Sequence, residues 1–330
     1  MNSKLNRWRA ALLSCGVLAV AALTVSCGGG TQVQQFSASR VIALGDETSV
    51  IDDSLSPGNG RKYSINGTVS ATDPTFDCKV NPIWIQLLAI NYSLVFPQCA
   101  QPGAVAAPVS RIRATPGAKV ADIAGQIAAQ VAESPFTKGD IVSVIVGQND
   151  ILAEYARFPG VSQAELTQNV EAAGRALGQQ INSIIGSGAK VVVATVPNLG
   201  ITPFGQAENA AHTDTSRAVL LATLTARFNA LMRATIINDG RQIGLILFDE
   251  YIEGVIAVSN GGGFTNVTVG ACDLSKSSLV PPSILDCSDL TLITGANSGT
   301  YLWADPTHLS AGGQHALGSL AVTRAQNNPF

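Results

Sequence analysis

Ile141-Val142-Ser143-Val144-Ile145-Val146-Gly147-Gln148-Asn149-Asp150 is the stretch on which the fold turns. Its six leading residues are apolar or small with no polar alternation, which describes a strand buried on both faces rather than one half-open to water. Such a strand belongs in a parallel sheet with helices above and below, and polar residues just past its carboxyl end fall where open α/β sheets place functional groups. The same form recurs on either side. Val41-Ile42-Ala43-Leu44 runs into Gly45-Asp46, the segment from Lys190 to Val196 stops at Pro197, and the segment from Ile243 to Phe248 ends at Asp249. Helix-like segments lie between them, from Val120 to Val131, Gln163 to Ile185 and Thr215 to Ile237, with Ser187-Gly188 as a helix stop. The alternation predicts an α/β fold, a three-layer α/β/α sandwich around a central, mostly parallel sheet of the flavodoxin-like kind.

Composition allows this and narrows the function. The chain has 330 residues, 46% hydrophobic and 13% charged, enough for a packed core without the composition of a disordered protein. Its net charge of −3 and lack of any Lys/Arg-rich run leave no basic footprint for phosphates, so nucleic acid is excluded as a partner. Residues 38–330 read as a single domain with loop insertions near 51–82 and 258–301, the second rich in Gly, Ser, Asn and Cys.

The first 26 residues read as a targeting segment. Lys4, Arg7 and Arg9 precede an apolar run from Ala10 to Val25, too short and too closely followed by glycines for a spanning helix. Leu23-Thr24-Val25-Ser26-Cys27 resembles a bacterial lipobox, in which the cysteine becomes the lipidated first residue of the mature chain. That resemblance implies a membrane anchor at Cys27, a flexible tether over residues 27–37 beginning Gly28-Gly29-Gly30, and an exported protein. With no aspartate after Cys27, it further implies the outer membrane of a two-membrane, Gram-negative bacterium. Cys78, Cys99, Cys272 and Cys287 suit the same compartment, because export permits disulfides. Four cysteines allow three pairings, of which sequence proximity favours Cys78 with Cys99 and Cys272 with Cys287. No C-x-x-C spacing invites zinc.

Three polar clusters fall at strand or helix ends: Gly45-Asp46-Glu47, Gly147-Gln148-Asn149-Asp150 and Asp305-Pro306-Thr307-His308. With Gly103 they resemble, in order and approximate spacing, the block pattern of the SGNH/GDSL hydrolases over nearly all of residues 38–322. The pieces include Ala100-Gln101-Pro102-Gly103-Ala104, Pro197-Asn198-Leu199-Gly200 and Gly263-Phe264-Thr265-Asn266. The resemblance implies hydrolysis of carboxylic ester or acyl substrates, with neither cofactor nor metal. His308 would be the base, Asp305 would orient it, and Gly103 and Asn149 would hold the oxyanion.

Glu47 stands where that family has its nucleophilic serine. A carboxylate attacking an ester would form an anhydride more reactive than the ester itself, and its charge would oppose the nascent oxyanion. It would also favour the imidazolium of His308 and so remove the base. Two function classes therefore stand: an ester hydrolase, and a non-catalytic lipoprotein that uses the former cleft to bind a ligand. Within the first, Ser49 or Thr48 could replace the nucleophile through a shifted turn, or Glu47 could act as base on water or attack a substrate other than an acyl ester. A metal held by Asp46, Glu47, Asp150 and His308 matches no familiar spacing. Asp46 and Asp150 otherwise read as hydrogen-bond partners of the strand-end loops, His315 as packing on the final helix and His212 as a solvated loop residue. Tyr301, Trp303 and Phe264 read either as cleft lining or as core.

Overall fold

The structure, a computed structural model, describes residues 36–55, 60–99, 109–258, 261–327 and 330. The leader, Cys27 and Gly103 lie outside the described residues. The chain divides into two units, residues 1–36 and 37–330, and everything below concerns the second. Among the described residues no helix is long and apolar enough to cross a membrane.

The strands are β1 (Arg40–Gly45), β2 (Ile51–Asp52), β3 (Arg61–Lys62), β4 (Thr68–Ser70), β5 (Asp73–Phe76), β6 (Arg111–Ile112), β7 (Asp140–Ile145), β8 (Lys190–Ala194), β9 (Ile243–Ile246), β10 (Asn266–Gly270) and β11 (Tyr301–Trp303). The helices are α1 (Trp84–Ile90), α2 (Val120–Glu133), α3 (Gln148–Tyr155), α4 (Gln163–Ile185), α5 (Pro203–Ala211), α6 (Arg217–Thr235), α7 (Phe248–Ala257) and α8 (Ala311–Asn327). Five strands form the central sheet in the order β6-β1-β7-β8-β9, and every pairing in it is parallel. The expected α/β/α sandwich is what forms.

Each apolar run is continuous because both faces of its strand are covered. Ile42, Leu44, Val142, Val144, Val191 and Val193 pack with Ile123 of α2, Ile151 of α3, Leu177 and Ile181 of α4 and Phe228 of α6. The alternate residues Val41, Ala43, Ile141, Ile145 and Val192 are equally buried on the other face, where α1 and α8 lie. At the amino end, Asp140 is buried and takes two bonds from Arg40, at 3.0 and 2.6 Å, tying β1 to β7. Local signals set the helix limits. The Ser162 hydroxyl accepts from the Glu165 N–H to start α4, Ser216 does the same for α6, and after α4 the chain reverses at Gly188 with φ of +90°.

The two insertions are not simple loops. The first carries two small antiparallel pairs, β2–β3 and β4–β5, and the second the parallel pair β10–β11 formed with the strand before His308. They pack on one another: Ile65 shares a small apolar cluster with Ala271, Ile284, Cys287 and Ala304, and the Asn66 amide donates to the carbonyls of Leu285 and Cys287. Disulfides join Cys78 to Cys99 and Cys272 to Cys287, the pairings that proximity favours. Lys62 is fully buried, its ammonium donating to the carbonyls of Val80 and Asn81 at 2.7 and 2.8 Å, and burial pulls its pKa down to about 7. That lysine anchors the chain just before Tyr63, which reaches the site described next.

Candidate active site

The first piece of the site is a chain reversal that only glycine permits. Gly45 closes β1 with φ of +127°, and a side chain there would collide with the Ile145 carbonyl. Gln126 of α2 clamps this point, accepting from the Gly45 N–H and donating to its carbonyl, both at 2.8 Å. Asp46 then caps one 3-10 turn, Glu47–Ser49, by accepting from the Thr48 N–H at 3.0 Å, and the turn sets Glu47 over the carboxyl ends of β1 and β7. Gly147, also with φ of +127° and pressed against the Phe228 ring, starts α3 so that Asn149 falls in its first turn.

Three elements converge on the Glu47 carboxylate. Asn149 Nδ2 donates to Oε2 at 3.0 Å and to Oε1 at 3.3 Å, and the Gly117 N–H donates to Oε2 at 2.8 Å. Gly117 is the third residue of the turn Thr115-Pro116-Gly117-Ala118, closed by the Ala118 N–H on the Thr115 carbonyl at 3.2 Å, and its φ of +72° is what that place in such a turn demands. His308 completes the surroundings of the carboxylate, its Nε2 3.8 Å from Glu47 Oε1. Asp305 holds that ring: Oδ2 lies 2.7 Å from Nδ1, while Oδ1 accepts from the backbone N–H groups of Thr307 and His308 at 2.9 and 2.7 Å. Tyr63 packs beside the imidazole with ring centroids 5.9 Å apart.

The charges follow from this geometry. Burial opposes the charge on His308, but the Asp305 and Glu47 carboxylates outweigh it and push its pKa up to about 10. Burial likewise works against ionised Glu47, yet its bonds with His308, Gly117 and Asn149 win and its pKa is lowered. Asp305 is lowered despite burial by the same imidazolium. The shifts of Glu47 and His308 both favour an anionic Glu47 facing a cationic His308. Asp46, fully buried beside the Glu47 charge, is instead raised to about 7.

Glu47, His308, Asp305 and Asn149 come together as the sequence leads one to expect. A backbone donor that the block pattern did not single out is Gly117, whose N–H reaches Glu47 Oε2; Gly103, expected as a donor, lies outside the described residues. The only local signal for Gly117 is the turn pair Pro116-Gly117, three residues before α2. Asp150 is a cap, its carboxylate accepting from the Val120 N–H at the start of α2, at 3.0 and 3.3 Å. Ser49 is buried and its hydroxyl accepts from the Trp84 indole at 3.1 Å, so it faces away from His308. Among the described residues no group of His, Cys, Asp and Glu is gathered to hold a metal. Trp303 is core, its indole on the Val267 carbonyl, whereas Phe264 and His315 line an open groove of about 550 Å³ whose lining includes neither Glu47 nor His308. His212 is exposed and bonds the Glu208 carbonyl.

An imidazole oriented by a buried carboxylate, facing two N–H donors that converge on the residue after Gly-Asp, is the layout of an acyl-hydrolase centre on a parallel α/β sheet. The profile of the GDSL-like lipase/acylhydrolase family matches residues 53–321, and the chain belongs to that family. The matched span begins beyond Glu47. No curated protein matches the chain in sequence. Among solved structures it is similar to an acetylxylan esterase from Geobacillus stearothermophilus, with 12% identity and a TM-score of 0.44 over 89% of this chain and 97% of that one. It is also similar to a member of the lipolytic protein G-D-S-L family from Veillonella parvula, with 9% identity and a TM-score of 0.41 over 86% and 96% of the two chains.

Proposed function

We propose that this chain is an exported, lipid-anchored GDSL-family protein whose centre is laid out for ester or acyl substrates but closed to carboxylic-ester hydrolysis by Glu47. One observation carries this reading: the Glu47 carboxylate takes the hydrogen bonds of Gly117 and Asn149 that a substrate oxyanion would need. An incoming carbonyl would have to displace a charged group already matched by two donors and an imidazolium, and such charge-assisted bonds are worth about 1.5–3 kcal/mol each. His308, held protonated, does not accept a proton from a nucleophile. In this reading the chain binds its ligand at the outer membrane, to which the segment ending at Cys27 tethers it.

The 2.7 Å bond between His308 and Asp305 supports a second reading, in which Glu47 swings aside on ligand binding and activates water for ester hydrolysis. A fluorophosphonate, which reacts with an activated serine, separates the two, alongside an ester assay of the wild type. Wild-type protein should remain unlabelled and inert, and Glu47→Ser should be labelled at residue 47 only while His308 is present. Label on Ser49 of the wild type, or ester turnover by it, would reject the closed centre. For the address, radiolabelled palmitate should mark the wild type and not Cys27→Ala; equal label on both would remove the anchor.

A further inference from the structure

The group that closes the site to esters is itself placed as a nucleophile for a different bond. We propose that Glu47 attacks a saturated, electrophilic carbon, that of an epoxide, and that this site is an epoxide hydrolase centre. The inference rests on the reading that Glu47 blocks carboxylic-ester hydrolysis.

A carboxylate is a poor nucleophile toward esters because the anhydride it forms is less stable than what it attacked. Toward a strained carbon–oxygen ring the product is an ordinary ester, so the objection disappears. The two carboxylate oxygens are already differentiated for such a cycle. Oε2 is held by Gly117 and Asn149, and Oε1 is turned to His308, with 3.8 Å between Oε1 and Nε2. Gly117 and its turn partners Thr115 and Pro116 are exposed, so the turn that holds Oε2 lies at the surface, while the Glu47 side chain itself is 8% exposed. Tyr63 lies beside His308 as a phenol kept protonated by burial and by the charges of Asp52 and Glu47.

In the first step Oε1 forms a bond to a ring carbon, the carbon–oxygen bond of the epoxide breaks, and the departing alkoxide takes the Tyr63 proton. The His308 imidazolium then returns a proton to Tyr63. Glu47 is now a neutral hydroxyalkyl ester, and His308 has lost the negative charge that kept it protonated. It can therefore serve as base, taking a proton from water while the hydroxide adds to Glu47 Cδ. The negative charge of the tetrahedral intermediate forms on Oε2, where the Gly117 and Asn149 donors already point. Collapse expels the diol alkoxide, which takes the proton from His308, and the Glu47 acid then re-ionises against His308. The sum is epoxide plus water giving a vicinal diol, with the ion pair restored. Asp305 has a positioning role throughout.

The test uses full-chain protein in detergent, in molar excess over 1,2-epoxyhexane, in oxygen-18 water. Over a single turnover the diol should carry no oxygen-18 and the peptide containing Glu47 should gain it, because the oxygen delivered to carbon comes from the side chain. Glu47→Gln should reduce diol formation to the uncatalysed rate, and His308→Ala should accumulate one epoxide adduct on that peptide. No diol from the wild type together with no adduct in His308→Ala overturns the proposal, as does oxygen-18 found in the diol. If the wild type is inert to the epoxide while Glu47→Ser hydrolyses nitrophenyl esters, only the epoxide proposal falls. If the wild type itself hydrolyses nitrophenyl esters, the reading beneath it falls as well.

Discussion

Replacing Glu47 by glutamine keeps the shape of the side chain and removes its charge, and the structure fixes what His308 should then do. Two unit charges 3.8 Å apart attract by about 4 kcal/mol at an effective dielectric of ~20, equivalent to a pKa change of about 3. The imidazole edge is partly open to water, which cuts this to about half, so a drop of ~1.5 to 3 from the value of about 10 is expected. Hydrogen bonding acts in the same direction. The glutamine oxygen would keep the Gly117 and Asn149 donors, leaving its amide N–H to face Nε2, which favours the neutral ring. Because the folded pKa of His308 lies above its unfolded value near 6.5, the pair stabilises the fold below that value, and the contribution is lost as pH rises through about 10. In Glu47→Gln that loss should be complete at lower pH. Following the His308 ring protons by NMR from pH 6 to 11 measures both proteins, and superimposable titrations would refute the ion pair.

Asp46 gives the opposite sign. Its pKa is raised to about 7 by burial and the Glu47 charge, so ionising it costs stability increasingly from about pH 4 to 7. Asp46→Asn, which can still accept from the Thr48 N–H, should gain on wild type by at least ~1 kcal/mol between pH 5 and 8 in urea unfolding, and a constant difference would contradict the shift. Removing the Cys272–Cys287 disulfide by a double serine substitution frees a span of 15 residues and should cost about 3 kcal/mol. Because Ile65 and Ala304 pack in the same cluster, near Tyr63 and His308, thermal unfolding monitored at His308 should shift with the global transition; a change confined to the insertion would show that the two are uncoupled.

The sheet was legible in the sequence because its strands are covered on both faces. Runs such as Val41-Ile42-Ala43-Leu44 carry no alternation to confuse, and Gly45 and Gly147 mark the strand ends where only glycine fits. The short pairs β2–β3 and β4–β5 were not, being two to four residues each with exposed positions such as Val69 and Ser70; this insertion is held by residues more than two hundred positions away, through Arg61 on Asp286 and Asn66 on Leu285. At the site, Glu47, Asn149, Asp305 and His308 stood in recognisable blocks. The Gly117 donor did not, since a Pro-Gly pair marks a turn but not what its N–H will face, and the Gly117 N–H meets Glu47 only once α2 packs against β1. Tyr63 was also hidden, because it reaches His308 through an anchor, the buried Lys62, that composition alone would place at the surface.

The most direct measurement is hydrolysis of 4-nitrophenyl acetate by wild type, Glu47→Ser and the double variant Glu47→Ser with His308→Ala. The account predicts an inert wild type, activity in Glu47→Ser at least ~10²-fold above it, and loss of that gain in the double variant, because an oriented base and two oxyanion donors would then act on a serine. Activity in the wild type equal to or above that of Glu47→Ser would contradict it, and would mean that Glu47 is no obstacle to ester chemistry.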